Sequence, residues 1–284
     1  MSNGSPPSSR PYLAEDPALV EARGTLRDAL GALGNLDQLL RSLRVGPKAL
    51  STVLPDVLDS CEPAMLALDR LLGAARRQLG DAPAVSALEQ YFKPRFDELK
   101  ASISRATKTP MHARHRLELE RVVTRIAPEL EAARGLLDLL EDAISAPFIP
   151  LKLREVLSQI TVSDERKHDS IRCLLYGEVD DVELLVKPQV AMSLLTLGIN
   201  LVAPVDPTAA ARVEVQTLAD GSCTIRFGQQ ASSSTAGEEL LVGRQTLIEP
   251  TFACLEEAVR KMGCSVTRDP GGVGFSVSWS QEPS

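Results

Sequence analysis

Hydrophobic positions in the first half of the chain recur at helical intervals. Leu19, Leu26, Leu30, Leu33, Leu36, Leu40 and Leu43 fall three, four and seven residues apart, on one stripe of a helix that Gly46-Pro47 ends. A second helical region covers 48–79, with breaks or kinks expected at Pro55 and Pro63, because proline removes an amide donor and crowds the preceding turn. Gly80-Asp81-Ala82-Pro83 interrupts the pattern, and a third helix spans 84–107 with a kink at Pro94. Thr109-Pro110 opens the longest helix, about 111–144, whose Leu117, Val122, Ile126, Leu130, Leu136, Leu137, Leu140 and Ile144 form another stripe. Short connections favour antiparallel neighbours, so 17–147 reads as an all-α bundle, with Ala146-Pro147-Phe148-Ile149-Pro150 as a hinge.

Beyond the hinge the pattern alternates between helical and strand periods. A short helix is expected near 151–159, strands over 170–176 and 182–186, and an apolar helix over 188–202. A hairpin follows, 212–218 and 223–227, turning at Asp220-Gly221, then a helix over 250–262 and a last hairpin, 264–268 and 274–279. Alternation in Arg212-Val213-Glu214-Val215 and Phe275-Ser276-Val277-Ser278-Trp279 predicts one buried and one solvated sheet face. The expected fold class is α+β. A helical bundle over 17–147 precedes an α/β sandwich over 148–284, with a mixed sheet and helices on one face. Residues 1–16 are Ser/Pro/Gly-rich, the composition of a disordered tail.

Composition narrows the function classes. A net charge of -7 without a sustained basic run shows no phosphate-backbone footprint, and 4% aromatic content argues against stacking platforms for single-stranded nucleic acid. No apolar run approaches the ~20 residues of a membrane span and no signal-peptide pattern opens the chain, so a cytoplasmic protein is expected. Five cysteines (Cys61, Cys173, Cys223, Cys254, Cys264) lack paired spacing and read as reduced side chains, with no metal site.

The order of elements over 148–284 resembles the GHKL (Bergerat-type) ATP-binding fold, and its place behind a helical segment is similar to a sensor histidine kinase. In that family an L-L-N-L-L-D-N-A helix holds Mg²⁺ through its first Asn. The matching stretch here is Leu194-Leu195-Thr196-Leu197-Gly198-Ile199-Asn200-Leu201, so Thr196 takes the metal position and only Asn200 survives. A hydroxyl is a poor replacement for the amide carbonyl at an octahedral Mg²⁺ site. The D-x-G-x-G strand end, whose Asp reads adenine, becomes Ile225-Arg226-Phe227-Gly228-Gln229-Gln230, without a carboxylate. The G-L-G-L helix start, which cradles phosphate with bare N–H groups, maps to Glu249-Pro250-Thr251-Phe252. There Glu249 would repel phosphate and Pro250 lacks a donor. The resemblance thus implies a domain without nucleotide, cofactor or metal. A glycine loop at Asp269-Pro270-Gly271-Gly272-Val273-Gly274 lies between strands and opens no helix, so it reads as a hairpin turn.

The family's phospho-accepting box, H-E-L-R-T-P-L, finds its nearest match in Asp97-Glu98-Leu99-Lys100-Ala101-Ser102-Ile103, with Asp in place of His, in a pattern also common on amphipathic helices. Of three histidines, His168 lies in a polar loop, while His112 and His115 stand in Met111-His112-Ala113-Arg114-His115-Arg116. Those two are either exposed imidazoles or phospho-acceptors steadied by Arg114 or Arg116.

Three functions follow. The leading one is a non-catalytic, pseudokinase-like signalling or scaffold protein that binds protein partners, response-regulator receiver domains among them, and pairs as a homodimer through its bundle. The alternatives are a histidine phosphotransferase that relays phosphoryl groups between receiver domains without ATP, and a purely structural bundle adaptor. The first two differ at His112 and His115.

Overall fold

The computed structural model describes residues 16–42, 47–108, 113–155, 173–176, 183–202, 211–217, 222–229, 242–269 and 274–279. Four long helices come first: α1 (Pro17–Arg41), α2 (Pro47–Leu79), α3 (Pro83–Lys108) and α4 (Ala113–Ser145). Asp16 caps α1, its Oδ1 accepting from the Ala18 N–H at 3.0 Å, and Pro17 follows at the position where a missing donor costs nothing. Of the expected stripe Leu26, Leu30, Leu33, Leu36 and Leu40 are buried together with Ala22 and Ala29, Leu19 is half-buried, Leu43 lies outside the described residues, and α1 ends at Arg41. Gly80, at φ +69°, ends α2 in the left-handed conformation that favours glycine.

The prolines behave differently from expectation. α2 runs through Pro55 and Pro63, and α3 through Pro94, each as one assigned helix, and all three prolines are exposed. α4 also contains Pro128, which the stripe reading passed over. Long apolar stripes on either side of each proline are buried, and their packing outweighs the loss of one amide donor.

The chain divides into two compact units, residues 1–74 with 99–123, and residues 75–98 with 124–284. The first contains α1, most of α2, the end of α3 and the start of α4. Within it Arg116 of α4 donates to the carbonyls of Leu40 and Ser42 at 3.2 and 3.0 Å, serving the open C-terminus of α1.

The second unit contains the start of α3, the rest of α4 and the sandwich. Its five-stranded sheet has the order β2-β4-β5-β7-β6, with β2 (Cys173–Tyr176) parallel to β4 (Ala211–Thr217). The other pairs, including β5 (Cys223–Gln229), β6 (Cys264–Arg268) and β7 (Phe275–Trp279), are antiparallel. Helices α5 (Pro188–Val202) and α6 (Val242–Lys261) pack on this sheet and on each other. The alternation holds on β4, β5 and β7. Val213, Val215, Ile225, Phe227, Phe275 and Val277 are buried on one face, while Arg212, Glu214, Arg226, Ser276 and Ser278 lie on the other. The architecture is α+β, with a mixed sheet covered by helices on one face, as expected.

Two boundaries differ from the sequence reading. β1 (Ile149–Lys152) takes the start of the helix expected near 151–159 and pairs antiparallel with β3 (Glu183–Val186) in the register Ile149↔Val186; helix begins at 153, and 156–159 lie outside the described residues. Leu151-Lys152-Leu153 alternates well enough for either period, and the partner strand decided it. The helix expected to start at Pro250 starts at Val242, so Pro250 lies inside α6. Proline's preference for the first helical turn suggested the wrong boundary.

Candidate functional site

Residues from α5, β5, β6, β7 and α6 meet in one continuous stack. α5 buries Leu194, Leu195 and Ile199 against the sheet and leaves Thr196 exposed. Between them Gly198 lies so close to Phe227 that an added Cβ would stand 2.7 Å from the ring. Phe227, at the end of β5, stacks on Phe275 of β7 with centroids 4.7 Å apart and planes 16° from parallel. Phe252 of α6 meets Phe275 edge-on, at 5.1 Å and 76°. The Arg268 guanidinium covers Phe252 at 3.7 Å and donates to both Glu249 carboxylate oxygens at 3.2 to 3.4 Å. The order is therefore Gly198, Phe227, Phe275, Phe252, Arg268, Glu249.

Aromatic pairs in offset or edge-to-face geometry contribute about 0.5–1.5 kcal/mol each beyond the area they bury. The Arg268–Glu249 pair adds little, because its side chains are 47% and 74% exposed and solvent screens them. The stack is an apolar core with a charged lid.

The structure bears on each sequence-matched position in its own way. Phe227, in the segment expected to match the adenine-reading motif, is fully buried, and Gly228 beyond it is half-buried. Thr196 faces outward. The side chain of Asn200 lies outside the described residues, as do His112, His168 and residues 230–241. The reading of Glu249-Pro250 as a damaged phosphate cradle needs correction. With α6 beginning at Val242, these residues sit about two turns inside the helix, and Glu249 pairs with Arg268. β6 and β7 flank 269–274 as an antiparallel hairpin, and the Asp269 N–H donates to the Gly274 carbonyl at 2.9 Å.

In the first unit, His115 is half-buried in a groove with Ser102, Arg105, Ala106, Glu118 and Leu119. Arg105 donates to Ser102 Oγ at 3.4 Å and stands 3.8 Å from Glu118. Arg116 donates to the carbonyls of Leu40 and Ser42, and Arg114 is exposed. Asp97 is exposed on α3, and the adjoining Glu98 pairs with Arg125 of α4.

Burial pushes the Cys61 and Cys223 thiols up to about 11, Cys264 to about 12, and Cys254 higher still, so these side chains are protonated packing groups at neutral pH. Among the described residues no cluster of His, Cys, Asp and Glu could hold a metal ion, and no helix is long and apolar enough to cross a membrane.

The sequence reading missed the aromatic stack. A signal was present, since three of only six phenylalanines fall at or beside the motif-matched segments. Their convergence needed the register that pairs Phe227 with Phe275.

No protein-family model matches the chain, and no curated protein matches it in sequence. Among solved structures it is similar to the Acinetobacter baumannii histidine kinase AdeS, with a TM-score of 0.45 and 9% identity over 67% of this chain and 96% of that one. It is also similar to the cytoplasmic segment of the histidine kinase QseC (TM-score 0.36, 14% identity, 54% of this chain and 94% of that one). A histidine kinase from Burkholderia phymatum gives a TM-score of 0.37 at 12% identity, over 75% of this chain and 95% of that one. The order of elements is a helical segment followed by a mixed sheet under two helices.

Proposed function

We propose that this chain is a non-catalytic histidine kinase-like protein that works by binding protein partners in a two-component-type signalling pathway. The observation that carries the reading is the stack from Gly198 to Arg268. The strand end matched to the adenine-reading motif carries a fully buried phenylalanine, and its neighbours are rings and a helix backbone. A phenyl ring accepts no hydrogen bond of the kind a carboxylate takes from the adenine amino group. Thr196, in the metal-ligand place, adds a weak ligand for Mg²⁺.

On this reading the helical segment 17–147 serves self-association and receiver-domain docking, 148–284 serves as a folded docking module, and the protein acts in the cytoplasm without cofactor. Titration calorimetry with ATP and Mg²⁺ tests it. No heat of binding is expected, and a sub-millimolar dissociation constant would overturn the reading.

One observation favours phosphotransfer as the second reading. His115 opens into a groove whose wall includes the Arg105 guanidinium and the Ser102 hydroxyl, donors suited to a phosphoryl group. Incubation with a phosphorylated receiver domain, followed by detection of acid-labile phosphate on the wild type but not on His115→Ala, would promote it over the first.

A further inference from the structure

α4 ends without a cation of its own. Its last turn contains no basic residue, although the final carbonyls of a helix lack intrahelical donors and concentrate the negative end of the helix dipole. The missing cation comes from 43 residues downstream. Lys187 Nζ donates to the Ala143 carbonyl, lies 3.4 Å from the Ile144 carbonyl, and stands 5.1 Å from the centre of the Phe148 ring. The side chain is only 6% exposed, and its partners among the described residues are carbonyls and a ring, with no carboxylate.

The position is a poor one for lysine from the standpoint of its own helix. Lys187 is the cap of α5, its carbonyl accepting from the Ala191 N–H at 2.9 Å, and this N-terminal end disfavours positive charge. Burial, and after it Lys261, lowers the pKa of the amine. The local sequence therefore gives no reason for a buried ammonium here. The carbonyls of α4 do, because a cation that lost its water is matched by two oxygens and an aromatic face.

We infer that Lys187 locks the C-terminus of α4 to the β3–α5 junction, so that α4 and the sandwich meet at a fixed joint instead of a free hinge. Three features of that joint agree. The Ala146 N–H closes on Asp142 at 2.9 Å, continuing the helical turn into the linker. The linker then enters β1, which is paired along its length with β3, the strand leading into Lys187. Finally, the end of α4 and the sandwich fall in one compact unit of the chain. A partner that displaced α4 would move the sandwich with it. The lock stands independently of whether the protein binds nucleotide.

Hydrogen exchange on the full-length chain tests the joint, with Lys187→Met keeping the length of the side chain and Lys187→Gln keeping a donor. In the Met variant the amides of 139–146 are expected to exchange at least tenfold faster, with those of β4, β5 and β7 unchanged, and trypsin to cut after Lys152 at least tenfold faster. The Gln variant is expected to fall between wild type and Met. Unchanged exchange and cleavage in a folded Met variant would overturn the lock. Should the Met variant fail to fold, the Gln variant decides, and wild-type rates there would likewise overturn it.

Discussion

A carbon added to Gly198 would lie 2.7 Å from the Phe227 ring, so α5 reaches the sheet only because that helical position carries no side chain. Gly198→Ala is expected to destabilise the protein by about 1–3 kcal/mol, the usual range for forcing a methyl group into a packed core. Phe227→Leu in the same chain should recover part of that loss, since it withdraws the atoms that clash. A urea double-mutant cycle measures the coupling, and strict additivity would show that the two residues do not compete for the same space.

The lid of the aromatic stack should be energetically lopsided. Glu249→Ala is expected to change stability by no more than about 0.5 kcal/mol, as exposed ion pairs do. Arg268→Ala should cost more, about 0.5–1 kcal/mol, because it also uncovers the Phe252 face. Chemical denaturation of the two variants ranks them, and an equal or reversed order would count against the guanidinium–ring contact.

Leu136 and Leu140 are 0% and 1% exposed within a single chain. Leu136→Asp is therefore expected to unfold the protein by burying an unpaired carboxylate, independent of oligomeric state. Self-association is tested separately. Light scattering on the wild-type chain should report twice 30.6 kDa if the helical segment pairs as proposed, and a monomer mass at high concentration would remove the dimer from the reading.

The buried thiols predict an alkaline weakness. Folding raises Cys61 and Cys223 from the ordinary 9.0 to about 11, so between those values the unfolded chain gives up thiol protons that the folded chain keeps. The unfolded state then binds fewer protons, and this contribution to stability falls as pH rises through that window, with no effect at neutral pH. Urea midpoints should decline across it. A thiol reagent at about pH 8 should reach these two cysteines only after denaturant is added.

Sequence alone was enough to predict the elements whose side chains bury along a clear period. The stripe from Leu26 to Leu40, the alternation of β4 and β7 and the apolar α5 each needed only the geometry of one helix or strand. The motif comparison likewise used the sequence alone, since it asks only which residue type stands where.

What depended on partners far along the chain was decided by the tertiary structure. Pro250 favours a helix start by itself, yet packing of Phe252, Cys254, Leu255 and Val259 is compatible with a helix that began eight residues earlier. Residues 149–152 became a strand because β3 offered its edge, and Arg116 serves the open carbonyls at the end of α1. Lys187 is an unremarkable residue before a proline until the carbonyls of Ala143 and Ile144 are placed against it. Local pattern determines which face of an element is apolar. Which polar group answers an open carbonyl, and which rings meet in one stack, is settled by contacts between residues tens of positions apart.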